Sequence, residues 1–494
     1  MAAAGQYFLI RPLEAGTLKL PGRHGKLGFE RHKIWPERDV TAWDCFDGAI
    51  RNSGGLLLER GKKLHLLGQG GVLVQSAKRN GDFPRDLRAG PVKDALEGLF
   101  PLRCLLPGAA ARLAIARYAV SWKRKHCGSL TLWQFTGPFG SFGLVELEVR
   151  AGKPLEAAKK RLAASGAEPA AAGAAYGLLA PGRPVYNPKP QVQLRPAQPA
   201  LAAATAIIRS CLSVARQNEA GVVSDLDTEF LHDYRISLRR IRTVLSLFKG
   251  VFAPADALRL KTGFAGLMAE TSRLRDLDVY LLKRDWFYAQ TPRMLHPGLD
   301  AMFDAFAAER RISHQSLALH LAGARYKWQI AAMQAEFAEG AEIAPGPRAA
   351  RPVQGFAQKL IWKRYSKLCR IADGITPATP DAEIHRLRIS CKKLRYLIEL
   401  FAPLFPASGL KPILKPLKKL QNTLGDFNDC SVQQAALLEF AATPAATREI
   451  ALSAGALIAV LGQNQNAARA QVETRFQAFN SPRTQRRFQT MFRG

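Results

Sequence analysis

The sequence predicts an α+β protein, with a mostly antiparallel β domain in its N-terminal part and an all-α C-terminal half. Three observations predict this division. Residues 112–122, 129–135 and 142–150 alternate or run in β-forming residues between glycine-rich breaks. Residues 181–200 contain six prolines, which keep a backbone extended and are typical of a linker. After that linker, one amphipathic helical pattern occurs twice.

The repeated helical pattern is the most informative feature of the chain. The segment LHDYRISLRRIRTVLSLFKGVF, which begins at Leu231, is followed 153 residues later by IHRLRISCKKLRYLIELFAPLF. The same offset relates Asp276 in LRDLDVYL to Asp429 in GDFNDCSV. A register kept over so many residues indicates an internal duplication of about 150 residues.

Each copy of the pattern presents a basic face opposite an apolar face. At about 100° per residue, His232, Arg235, Arg239 and Arg242 lie within an arc of about 80° on a helix. No carboxylate occurs between Arg235 and Lys249, although like charges at i,i+4 spacing destabilise a helix by about 0.2–0.5 kcal/mol per pair. A solvated surface is the simpler interpretation of one basic face, but its repetition in register favours an anionic ligand.

The duplicated H-x-x-R-x-x-x-[RK]-[RK]-x-R helix, with LRDLDV after the first copy and LGDFND after the second, resembles the CHAD family over roughly residues 201–480. The resemblance implies two four-helix bundles related by a pseudo-twofold axis, with a basic central channel that binds inorganic polyphosphate. We accordingly place the two repeats at residues 201–340 and 353–480, a proline-containing linker at 341–352 and a basic tail at 481–494.

The candidate site residues follow from this pattern. The predicted polyphosphate-binding residues are His232, Arg235, Arg239, Arg240, Arg242, His385, Arg388, Lys392, Lys393 and Arg395. Weaker candidates, for which a solvated role is equally consistent, are Arg209, Arg216, Arg273, Lys363, Lys367, Arg370, Lys411, Lys415 and Lys418. Asp276 and Asp429 are interpreted as structural carboxylates that hold arginine side chains in place. No catalytic residue, metal site or cofactor is predicted in this half.

The net charge of the chain limits the kinds of partner that it can bind. The chain of 494 residues carries 71 Lys plus Arg against 40 Asp plus Glu, a formal charge of +31, which favours a polyanion. Nucleic acid is the rival to polyphosphate. Single strands are held partly by base stacking on aromatic side chains, and only Tyr234 and Tyr396 lie near the basic positions, off the basic arc.

The cysteines and the apolar segments indicate the cellular compartment. The seven cysteines are odd in number and lack a C-x-x-C spacing, which favours a reducing environment over a disulfide framework or zinc site. The N-terminus lacks the pattern of a signal peptide, and the longest apolar run, near residues 450–461, is too short to span a bilayer. We therefore expect a cytoplasmic protein, and the polyphosphate ligand implied by the CHAD resemblance adds an expected association with polyphosphate granules.

The β domain, residues 1–180, has a weaker resemblance of its own. The segments that begin with WDCFDGAIRN and GLVELEVRAG are similar to parts of CYTH, or triphosphate tunnel, domains, which cleave triphosphates with a metal. Where that family has an E-x-E-x-K strand, this sequence has YFLIR. Glu146 and Glu148 alone share one side of a predicted strand and could hold Mg²⁺. We expect a degenerate domain, with metal-dependent triphosphatase activity as the alternative.

Overall fold

The structure is a computed structural model that describes residues 5–12, 22–68, 70–182, 186–376, 378–444 and 446–493. The chain divides into two compact units, Met1–Asn187 and Pro188–Gly494. The first unit is built on an antiparallel sheet and the second is helical, which confirms the predicted α+β class.

The first unit is one ten-stranded sheet with short helices. Its strands are β1 (Gln6–Ile10), β2 (Gly22–His24), β3 (Leu27–Asp44), β4 (Leu56–Arg60), β5 (Lys63–Gly68), β6 (Gly71–Ser76), β7 (Leu106–Trp122), β8 (Lys125–Gly137), β9 (Gly140–Val149) and β10 (Glu168–Pro169). Its helices are α1 (Ala49–Asn52), α2 (Pro91–Glu97), α3 (Lys153–Ala163) and α4 (Ala175–Leu179). The strand order is β10-β1-β9-β8-β7-β3-β4-β5-β6, and β2 pairs with β3.

The three strands predicted from the sequence correspond to β7, β8 and β9, and helix α3 follows them. Strand β9 is covered on both faces. Leu144 packs into one core cluster, whereas Val145 and Leu147 pack into a second cluster that includes Leu155 of α3. Because side chains alternate along a strand, Glu146 lies on the same side as Leu144.

The second unit is helical throughout its regular structure. Its helices are α5 (Ala200–Val223), α6 (Thr228–Leu247), α7 (Pro254–Ala269), α8 (Ser272–Leu282), α9 (Arg284–Gln290), α10 (His296–Ala322), α11 (Ala324–Glu336), α12 (Val353–Ala372), α13 (Asp381–Leu400), α14 (Ala407–Ala441), α15 (Arg448–Ala470), α16 (Val472–Phe479) and α17 (Pro482–Phe492). None of the helices described here combines the length and the apolar character needed to cross a bilayer.

The duplication is visible in the helix boundaries. Helices α5, α6 and α7 begin 153 residues before α12, α13 and α14 respectively. The copies differ in one place, because α7 and α8 are separate helices whereas α14 runs through the equivalent positions for 35 residues.

The two repeats share a core. Helix α10 of the first repeat and α15 of the second approach so closely that a Cβ on Gly298 would lie 2.3 Å from the Glu449 carbonyl oxygen. The hydroxyl of Tyr280 donates to the carbonyl oxygen of Gln433 at 3.3 Å, and these two residues occupy equivalent positions in the repeats. The helical unit therefore packs as one body.

Candidate functional site

Helices α6 and α13 carry the duplicated motif. The Asp227 carboxylate caps α6 by accepting hydrogen bonds from the backbone N–H groups of Glu229, at 2.9 Å, and Phe230, at 3.3 Å. The apolar faces of the two helices are in the core, and their equivalent residues Ile241 and Leu394 are fully buried. This burial sets the rotation of each helix and thereby the direction of its cationic side chains.

Aromatic stacking joins the two motif helices at their C-terminal ends. The ring of Phe248, just after α6, lies 5.2 Å from the ring of Phe401, which follows α13. It also lies 5.5 Å from the ring of Phe356 on α12. Residues from the two repeats are therefore brought together although they are far apart in the sequence.

This packing gathers cations from both repeats. Burial lowers the pKa of Arg388, and Arg239 of the other repeat lowers it further. Burial also lowers the pKa of Lys392 to about 8, with further contributions from Arg388, Arg239 and Arg395. We call Arg239, Arg388, Lys392 and Arg395 the central basic cluster. Its members repel one another in a partly desolvated place, a situation that a bound anion would relieve.

A hydrogen-bonded array orients one end of this cluster. The Nδ1 atom of His385 lies 2.7 Å from Oδ1 of Asn428, and the Asn428 amide donates to Oδ1 of Asp429 at 3.4 Å. The same oxygen of Asp429 lies 3.4 Å from a terminal nitrogen of Arg388. The Nε atom of Arg388 is buried and has no hydrogen-bond acceptor among the described residues. An oxygen-rich ligand would satisfy that donor.

Arg235 occupies a different environment from its equivalent, Arg388. Its side chain is buried, and its Nη1 atom donates to the Met268 carbonyl oxygen at 3.2 Å and to the hydroxyl groups of Thr271 and Ser272. Burial lowers the pKa of Arg235 to about 10. This guanidinium holds α6 against the junction of α7 and α8.

The carboxylate of Asp276 lies beside arginines. This position is consistent with the sequence-based interpretation that it holds arginine side chains in place. Burial raises the pKa of Asp276, and this increase is opposed by Arg235, Arg273 and Arg275. Asp429 stands in the same relation to Arg388 in the second repeat. The structural role of both carboxylates stays a prediction.

The remaining strong candidates lie in different environments. Arg242 is exposed and donates to the sulfur of Met268 at 3.4 Å, while His232 is partly buried. Arg240 lines a cavity of about 210 Å³ together with Cys211 and with Glu399, whose carboxylate lies 3.3 Å from Nε of Arg395. Lys393 faces α12. Arg240 and its equivalent Lys393 lie outside the basic arc of the helical wheel, which agrees with their different surroundings.

Several weaker candidates in the first repeat are engaged by protein groups. Arg209 donates to the Phe337 carbonyl oxygen at 2.7 Å, at the C-terminal end of α11. Arg273 forms a two-pronged ion pair with Glu309 at 2.5 Å, and Arg216 lies 3.5 Å from Glu219. By contrast, the weaker candidates of the second repeat are exposed: Lys363, Lys367, Arg370, Lys411, Lys415 and Lys418.

The first unit contains a separate cavity of about 300 Å³ that is lined in part by Glu146 and Glu148. The Tyr7 hydroxyl, from β1, donates to Glu146 at 3.2 Å, and burial together with the Glu148 charge raises the pKa of Glu146 to about 7. Glu148 accepts from Ser129 at 3.1 Å and lies 3.5 Å from Arg117.

This donor set does not fit a metal ion. Glu146 accepts a hydrogen bond from Tyr7, Glu148 is engaged by an arginine, and β1 supplies a phenol where the resemblance calls for carboxylates. Within the part of the chain that the structure describes, no three His, Cys, Asp or Glu side chains are grouped so that they could hold a metal.

The geometry of the helical unit agrees with comparisons to known proteins. Residues 206–438 match the family model described as the CHAD domain. This region is a CHAD domain. The crystal structure of the CHAD domain from the plant Ricinus communis superposes with a TM-score of 0.51 at 26% sequence identity, covering 60% of this chain and 98% of that chain. PptA from Streptomyces chartreusis gives a TM-score of 0.46 at 17% identity, covering 57% of this chain and 100% of that chain. No curated protein matches the chain.

The sequence did not single out some residues that lie at the candidate site. Asn428 positions His385 but is matched by Arg275 in the first repeat, so the duplication gave no signal for it. Arg364 on α12 and Lys249 after α6 lie near Lys393. Arg364 lies outside the repeated segment, and Lys249 is matched by Ala402 in the second copy. Their spacing along the sequence does not indicate that they are close, because they come from three separate segments of the chain.

Proposed function

We propose that the CHAD domain of this protein binds inorganic polyphosphate noncovalently through the central basic cluster, as a binding module that associates with polyphosphate granules. The observation that carries the proposal is the approach of Arg239 from one repeat to Arg388 and Lys392 from the other. Like charges held together in a partly desolvated place cost free energy in the unliganded protein. A polyanion that spans both repeats offsets that cost.

The chemistry of the cluster favours a ligand with many oxygens. Guanidinium groups present planar sets of donors that can engage two oxygens at once, whereas Lys392 contributes a compact charge. Asp429, which lies next to the cluster, is paired with Arg388 and is therefore poorly placed to act as a general base. CHAD domains as a family are associated with polyphosphate binding, which supports the same ligand.

The test is a salt series of polyphosphate binding by the full chain. Arg239→Gln/Lys392→Gln removes one equivalent cation from each repeat, and we expect it to weaken binding about tenfold or more and to flatten the salt dependence. Arg311→Gln/Lys327→Gln, which removes two exposed cations elsewhere on the helical unit, is the matched control. Equal affinities of the first variant and the wild type would contradict the proposal.

Nucleic acid is the rival ligand, and a competition experiment separates the two. Tyr234 is only 1% exposed and so cannot stack on a base, which weighs against single-stranded RNA or DNA. We expect RNA to leave polyphosphate bound when both are present at the same concentration of phosphate groups. Displacement by RNA would assign the site to nucleic acid instead.

Triphosphate cleavage by the first unit is tested separately. Because the Glu146 and Glu148 pair does not suit a metal, we expect no release of phosphate from tripolyphosphate with Mg²⁺ or Mn²⁺. Release that is abolished by Glu146→Ala and Glu148→Ala would establish an enzyme.

A further inference from the structure

A second group of cations lies on the other side of α13 from the central basic cluster. It consists of Lys393 on α13, Arg364 and Lys367 on α12, and Lys249 just after α6, and we call it the seam cluster. Lys393 is adjacent in sequence to Lys392 of the central basic cluster, so the two side chains leave α13 about 100° apart.

Packing of the apolar residues places these cations together. Phe248 contacts Phe356 of α12 and Phe401 beyond α13, and it immediately precedes Lys249. Helix α12 packs along α13, and the side chain of Ile361 on α12 is fully buried. The seam cluster is therefore built by three segments of the chain.

The charges of the seam cluster are not balanced by protein groups. Burial lowers the pKa of Lys393, and Arg364, Lys367 and Lys249 each lower it further. Burial alone lowers the pKa of Arg364, which is partly buried. Among the residues that the structure describes, none of these four cations forms an ion pair with a carboxylate.

The first repeat lacks such a cluster at the equivalent seam. Arg240 corresponds to Lys393, but Cys211 stands where the second repeat has Arg364. Arg240 also lines a small cavity together with Lys189 and Val192 from the segment that precedes α5. The seam cluster is thus a property of the second repeat and does not follow from the duplication.

We propose that the seam cluster is a second polyphosphate subsite, which binds further phosphates of the same chain that occupies the central basic cluster. This inference rests on the proposed function. The two clusters flank one helix, whose diameter with side chains is about 10 Å, so a long chain reaches both whereas a short one does not. Binding to the second cluster is then intramolecular and raises the affinity for long chains alone.

The experiment compares tripolyphosphate with long-chain polyphosphate, at equal concentrations of phosphate groups, on the full chain. For Arg364→Gln/Lys393→Gln we expect about tenfold weaker binding of the long chain and binding of tripolyphosphate within about twofold of the wild type. The charge-preserving variant Arg364→Lys/Lys393→Arg should retain the wild-type preference for long chains, which separates lost charge from disturbed packing.

The outcomes distinguish the two proposals. Unchanged long-chain affinity in Arg364→Gln/Lys393→Gln, or an equal loss for both ligands, would overturn the second subsite while leaving the proposed function intact. Wild-type protein that fails to bind long-chain polyphosphate would overturn the proposed function itself. Arg239→Gln/Lys392→Gln should weaken both ligands, because the central basic cluster contributes to both complexes.

Discussion

The two repeats use one arginine position in opposite ways. In the first repeat, Arg235 is buried and donates to the Met268 carbonyl oxygen and to the hydroxyl groups of Thr271 and Ser272. In the second repeat, Arg388 is only partly buried, and its buried Nε atom has no acceptor among the described residues. One arginine is engaged by the fold, and the other keeps a donor that the proposed function assigns to a ligand.

The difference originates in the helix that faces the arginine. Thr271 and Ser272 mark the break between α7 and α8, and they correspond to Leu424 and Gly425 within the continuous α14. Neither Leu424 nor Gly425 has a hydroxyl group to engage Arg388. A duplicated motif therefore does not guarantee a duplicated role, because each copy meets the partners that its own neighbouring helix supplies.

The largest effect is expected on stability. Arg235→Met should lower the free energy of unfolding by about 2–3 kcal/mol, because it removes charge-assisted hydrogen bonds from a buried junction. Arg388→Met should change it by less than about 1 kcal/mol, because that side chain forms only a partly exposed ion pair. Urea unfolding of the full chain measures both. Equal losses would remove the proposed contrast between the repeats.

Ligand affinity should show the reverse order. Arg388→Gln should weaken polyphosphate binding about tenfold, or about 1.4 kcal/mol, because it removes a cation of the central basic cluster. Arg235→Gln should have a smaller effect at a temperature where both variants are folded. Titration with long-chain polyphosphate measures the two affinities, and a larger loss for Arg235→Gln would assign ligand contact to the buried arginine.

The hydroxyl groups of the first repeat provide a finer test. Thr271→Val keeps the shape of the side chain but removes an acceptor from Arg235, and should lower the free energy of unfolding by about 1 kcal/mol. Leu424→Val, at the equivalent position, is the control for lost packing without a lost hydrogen bond. Thermal unfolding compares them, and a Thr271→Val variant as stable as the wild type would show that the hydroxyl contributes nothing.

The smallest effect is expected from pH. The pKa of Lys392 is lowered to about 8 in the unliganded protein, and a bound anion favours the charged form, so binding takes up a proton above that pH. Affinity should therefore fall about threefold as the pH rises from about 7 to about 9. Lys392→Arg should flatten the profile. A rise in affinity over that range would contradict a role for Lys392.

Much of the helical unit could be predicted from the sequence. The 153-residue register predicted equivalent helices, and α6 and α13 each span 20 residues with the same offset. It also indicated that Arg239 and Lys392 lie on basic faces. In the first unit, the β-forming pattern predicted the three strands β7, β8 and β9, but the order of strands across the sheet could not be read from it. Strand order depends on pairing between segments far apart in the chain.

The sequence by itself determined the helices, their basic and apolar faces and the duplication, because these depend on local periodicity. Only the tertiary structure decided that Arg235 is buried and that Arg239 lies near Lys392 of the other repeat. It also decided that Lys393 lies near Arg364 and not in the central basic cluster. A helical face is defined relative to its own axis. What covers that face is set by packing against distant segments.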